Sequence, residues 1–183
     1  MNIRNRATIR GTALGALAFI AASASIPGQS AKAATADYEL PLELAMEAAL
    51  QAVRTCEANG YRVTATIVDV AGYVKVQAKG DGSTIHTKDS SYGKAYTIAT
   101  MGPVFNIDST GAFAEMLNKA QANNPSLAAI PNIPGILPLT GGVAIKAQGK
   151  IVAGLGVGGA PGGKKDEVCA LAGIQKISDR LPQ

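Results

Sequence analysis

Apolar residues recur at helical spacing from Pro41 to Asn59, where Leu42, Leu44, Ala45, Ala48, Ala49, Ala52 and Val53 mark one face. Pro41 suits the first turn of that helix, and Gly60 suits the position just past its end. The period then changes. "YRVTATIVDV" alternates Val63, Ala65 and Ile67, and "YVKVQAK" alternates Val74, Val76 and Ala78 across the turn signal Ala71-Gly72. This pattern predicts a β-hairpin, broken off by Gly80-Asp81-Gly82.

"HTKDSSYGKAYTIATM" returns to helical spacing, with Asp89 or Ser90 as N-cap and Ala95, Ile98, Ala99 and Met101 facing inward. Gly102-Pro103 is expected to stop it, and a further helix is expected from about Thr110 to Ala122, starting near Ser109. The proline-rich "NNPSLAAIPNIPGILP" reads as a loop. Three short strands follow, "ILPLTGG", "VAIKA" and "KIVAGLGV". A last helix is expected from about Lys165 to Arg180, with Val168, Leu171, Ala172 and Ile174 on its buried side. Consecutive strands joined by short turns pair antiparallel, so the expected fold is α+β with five antiparallel strands flanked by helices.

The first 33 residues stand apart from that fold. Arg4, Arg6 and Arg10 precede an uncharged run from Gly11 to Ile26, and Ala31-Lys32-Ala33 offers a cleavage site. That is the layout of a secretory signal peptide, and the run is shorter than the ~20 residues a bilayer span needs. Residues 1–33 are therefore read as a signal peptide and 34–183 as one mature domain, exported to the periplasm or the medium. Export changes the charge balance. Of 17 basic residues four lie in the signal, which leaves 13 against 13 acidic ones. The mature domain is near neutral and poor in aromatic residues, so a nucleic-acid partner has no electrostatic footprint. Cys56 and Cys169 would meet an oxidising compartment, where a disulfide is possible. Both lie on apolar helix faces, and two buried small hydrophobes is the preferred reading.

Gly154-Leu155-Gly156-Val157-Gly158-Gly159 fits the G-x-G-x-x-G pattern of dinucleotide folds. Its surroundings do not fit: "APGGKKD" separates the glycines from the next helix, and no second parallel strand follows. The glycines read instead as a strand that lets another backbone or helix pack closely.

Read whole, the same stretch resembles a known signature. "LTGGVAIKAQGKIVAGLGVGGAPGGKKDEVCALAGIQKI" is similar to the C-terminal region of the GlcG/HbpS-like family, labelled haem-degrading or haem-binding. "TIVDVAGYVKV" and "DGSTIHTKDSSYGKAYTIAT" resemble two further motifs of that family, and the likeness spans roughly residues 40 to 178. The resemblance implies a profilin-like domain that self-associates, with haem or iron handling among its roles. The sequence departs from the family pattern at Ala78-Lys79-Gly80, where an arginine is usual, and at Gly158, where a serine is frequent.

His86 is the only histidine. Combined with the resemblance, it is the candidate axial ligand of haem, with Asp89, Lys94 and Tyr96 expected around the pocket and Lys94 facing a propionate. Tyr92 and Tyr96 are expected on different helix faces. Asp69 is read as capping the Ala-Gly turn, and Asp166-Glu167 as the acidic start of the last helix. One histidine and no G-x-S-x-G elbow argue against a hydrolytic triad, and no ligand spacing suggests zinc. The competing expectation is a cofactor-free oligomeric module, or a binder of small acidic metabolites, which the low aromatic content favours. Enzymatic haem degradation is a third reading, for which the sequence offers no catalytic motif.

Overall fold

The computed structural model describes residues 38–183; the expected signal peptide lies outside them. Helix α1 (Leu42–Ala58) leads into strands β1 (Thr64–Asp69) and β2 (Val74–Lys79). Helices α2 (His86–Phe105) and α3 (Thr110–Gln121) follow, then a 3-10 segment over Pro125–Asn132. Strands β3 (Gly142–Ala147) and β4 (Lys150–Gly158) precede α4 (Gly163–Ile177). The sheet is antiparallel throughout, in the order β2-β1-β4-β3.

It has four strands where the sequence suggested five. "ILPLTGG" stays outside because its backbone groups are satisfied by helix hydroxyls. The Leu137 N–H donates to Thr97 Oγ1 at 2.7 Å, and Thr110 Oγ1 donates to the Leu139 carbonyl at 2.7 Å. Pro138 also removes a donor that a ladder would use.

Helix α2 begins at His86, three residues before the expected cap, and runs through Pro103. It ends at Asn106, a left-handed residue (φ 51°) whose N–H bonds the Gly102 carbonyl. Ser109 does cap α3, accepting from the Ala112 N–H at 3.2 Å.

The two faces of the sheet are built differently. Ala65, Ile67, Ile145, Ala153, Leu155 and Val157 point to one side and form the main core with α1 and α4. Small residues set the spacing there: a Cβ on Gly173 would come within 2.5 Å of the Ala48 carbonyl oxygen. The inward face of α4 is accordingly Cys169, Ala170, Gly173 and Ile177. Val168 and Leu171, expected inside, are about half exposed. A disulfide joins Cys56 of α1 to Cys169 of α4, with Cα atoms 5.5 Å apart, in place of the free buried thiols preferred from sequence. It closes a loop of 113 residues. A loop of roughly that length is worth about 4.7 kcal/mol in the chain-entropy account.

The other face carries α2 and almost no bulk. A Cβ at Gly154, Gly156 or Gly158 would lie 2.3, 2.1 or 2.3 Å from the nearest atom of α2. The strand glycines therefore let a helix lie directly on the sheet, as their setting in the sequence suggested. Hydroxyl pairs stitch the same contact, Thr66 to Ser91 and Thr64 to Thr87, each at 2.7 Å.

Candidate functional site

Seating α2 on glycines leaves its opposite face outward. His86, Asp89 and Gly93 recur at helical spacing on that side, Ser90 flanks it, and Gly93 lies buried under a crossing loop. The loop Gly135–Leu137 crosses the helix at Gly93, where Leu137 sits so close that a Cβ would meet its Cβ at 2.8 Å. Between the helix and this loop lies a cleft of about 430 Å³, lined by Asp89, Ser90, Tyr92, Gly93, Gly135, Ile136 and Leu137. The shelf is thus apolar on its loop side and polar along the helix.

His86 stands one turn beyond the cleft, exposed, with Nδ1 3.1 Å from Thr84 Oγ1. When Nδ1–H donates to that hydroxyl, the Nε2 lone pair is left for a metal. Asp89 lies on the cleft rim, and the Lys88 ammonium is 3.4 Å from its carboxylate. Tyr96 packs next to the cleft, its ring against Gly135 and Gly72. It touches Tyr92 with ring centroids 5.6 Å apart. The two tyrosines share a face, as residues four apart on a helix do, contrary to the expectation from sequence.

Lys94 is the exception among the candidate residues. It points inward, 4% exposed, and donates to Asp166 Oδ2 at 2.7 Å and to the Val157 carbonyl at 2.8 Å. Asp166 also accepts from the Ala160 N–H at 2.9 Å. The acidic start of α4 is therefore one half of a buried ion pair rather than a solvated cap. Burial pushes the Asp166 carboxyl above the ordinary carboxylate range, even against the ammonium beside it. Gly141 makes room for the pair, since a Cβ there would lie 2.8 Å from the Asp166 Cβ and 2.9 Å from Lys94 Nζ.

The structure brings His86, Asp89 and Tyr96 to one side of α2 and sends Lys94 to the other. Sequence reasoning chose Tyr96 over Tyr92 and missed Ile136 and Leu137, whereas Tyr92, Ile136 and Leu137 form the cleft's apolar wall. Only the prolines around residues 131–138 hinted that this loop would leave the sheet. Asp69 caps its turn as expected, accepting from the Ala71 and Tyr73 N–H groups at 2.9 Å. Among the described residues no cluster of three or more His, Cys, Asp or Glu side chains could hold a bare metal ion, and no helix is long and apolar enough to cross a membrane.

Comparison with known proteins adds the context. A family model described as haem degrading protein HbpS-like matches residues 40–175. A crystal structure of HbpS superposes with a TM-score of 0.66 at 37% identity, covering 77% of this chain and 92% of that one. A double mutant of Streptomyces reticuli HbpS gives a TM-score of 0.64 at 36% identity, covering 88% and 97%. A PduOC complex with haem gives 0.62 at 19% identity over 76% and 96%, a likeness of fold. No curated protein matches the chain.

Proposed function

Because the chain belongs to the HbpS-like family, we propose that it binds haem on the outer shelf of α2, with His86 as an axial ligand of the iron. The observation that carries this reading is the exposed imidazole beside an apolar cleft on the same helix face. The donor set fits the group. An imidazole held at Nδ1 by a hydroxyl presents Nε2 to a metal, and Tyr92, Ile136 and Leu137 offer apolar surface to a macrocycle. Ile85, 73% exposed next to His86, extends that surface. Lys88 is the cation within reach of a propionate, since Lys94 is committed to Asp166.

Bound haem would supply iron chemistry, and the protein's part is to hold and orient it. The chain's one histidine would hold the iron, and the degradation named in the family's description would need a reductant from outside the chain. Export to the periplasm or the medium belongs to the same proposal. The buried disulfide supports it, because such bonds persist in oxidising compartments.

The test is an absorbance titration of the purified protein with haemin, with His86→Ala alongside. The expected result is a saturable Soret shift at one haem per chain, weakened at least tenfold in the variant. A flat or non-saturable response in the wild type would overturn the proposal and favour the cofactor-free module.

A further inference from the structure

Three segments meet at one end of the β1–β2 hairpin: the last turn of α1, the lead into β1, and the turn after β2. The Gly80 N–H of that turn donates to the Val63 carbonyl at 2.9 Å. Between the segments lies a cavity of about 330 Å³ lined by Glu57, Gly60, Tyr61, Arg62 and Asp81, at the small end of the range for ligand pockets. Its walls carry opposite charges that do not meet. Arg62 is laid across the turn, its Nη1 donating to the Asp81 carbonyl at 3.0 Å. It lies so close to Gly82 that a Cβ there would come within 2.5 Å of Nη1. That bond fixes the guanidinium and leaves most of its N–H donors for an outside acceptor. Glu57 stands at the Gly80 end of the same turn, its Oε1 3.1 Å from where a Cβ on Gly80 would be. Arg62, Glu57 and Asp81 form no ion pair among the described residues. Glu57 also lies in the last turn of α1, where no basic residue offsets the partial negative charge of the helix end.

We propose that this cavity binds a small zwitterion of the free α-amino acid class, its carboxylate on Arg62 and its ammonium against Glu57. A carboxylate matches the planar fork of the guanidinium and takes the donors that the Asp81 carbonyl leaves over. An ammonium is drawn to the Glu57 carboxylate and to the carbonyl end of α1. The remaining charges keep the balance. Asp81 adds a second acid to the lining, and Lys165 of α4 holds its ammonium 5.0 Å from the centre of the Tyr61 ring. Two cations and two carboxylates thus surround the cavity, a balance that selects a neutral zwitterion over a simple anion or cation. None of these residues lines the cleft on α2, so the inference stands independently of the haem reading.

The test is a titration of the isotope-labelled, purified protein, followed by its backbone amide NMR signals. L-alanine, L-serine, L-glutamate and L-lysine are added singly, with acetate and methylammonium as the two halves of the zwitterion. At least one amino acid is expected to shift the Gly60 and Gly82 amides saturably, and neither half alone to match it. Arg62→Gln and Glu57→Gln are each expected to weaken that binding at least about tenfold. Both side chains are exposed, so the signals of the sheet should stay in place in the two variants. No saturable shift with any of the four amino acids would overturn the proposal. So would acetate binding as tightly as the best amino acid, or Glu57→Gln leaving the affinity unchanged, since either result would make this a site for anions alone.

Discussion

Asp166 and Lys94 are 72 positions apart in the chain and 2.7 Å apart in the fold, both nearly excluded from water. A buried ion pair is weak evidence of net stability, but stripping one partner from it is costly. Lys94→Met is expected to lower stability by about 3 kcal/mol or more at pH 7, and a second change, Asp166→Asn, to recover most of that. Urea unfolding of the two variants checks both statements. The acid side has a defined sign. Burial raises the folded-state value of Asp166 above its unfolded value, so its protonated form favours the fold. That contribution is complete below the ordinary carboxylate value and is lost as pH rises through the raised one. Wild type should therefore lose stability relative to Asp166→Asn as pH climbs through that window, and a difference independent of pH would contradict it. Sequence gave no sign of the pairing. The turns on either side of Lys94 offer Ser90, Ser91 and Thr97, small polar residues beside which a lysine reads as solvated. His86, by contrast, was legible as a candidate because it is the only imidazole in the chain.

At the scale of the elements, the informative contact is α2 against β4. The glycines of β4 were legible as a close-packing strand from their context alone, without any view of what packs there. What packs there is mostly small, with Thr87, Ser91 and Ala95 in place of leucines and Ile98 over Gly154. Gly156→Ala would put a Cβ 2.1 Å from the Ser91 carbonyl oxygen, a backbone atom that cannot rotate away. The expected cost is about 3 kcal/mol, the upper part of the overpacking range, read as a lowered urea midpoint. A midpoint like that of the wild type would mean that α2 sits less tightly on the sheet than described here. The same polar seating explains why the start of α2 was placed late. With no apolar residue before Tyr92 at a buried position, periodicity had nothing to register in its first turn. The inward face of α4 was misassigned for the related reason that small residues line it.

For the whole molecule, the order of helices and strands followed from period and turn chemistry, and only "ILPLTGG" failed, because its partners are hydroxyls on two distant helices. The disulfide was open to sequence reasoning as the one possible pairing of two cysteines, but nothing local shows that helices carrying residues 113 apart bring them together. The bond joins α1 to α4 on one face of the sheet, while the Lys94–Asp166 pair joins α4 to the helix that carries the proposed haem shelf. The central claim concerns that shelf, and the most direct test is a ligand swap. The ferric spectrum of the haemin complex should be recorded for wild type and for His86→Tyr. If His86 binds the iron, the tyrosine variant will keep the haem and gain a phenolate-to-iron charge-transfer band absent from the wild type. Identical spectra from the two proteins would show that the iron is held elsewhere.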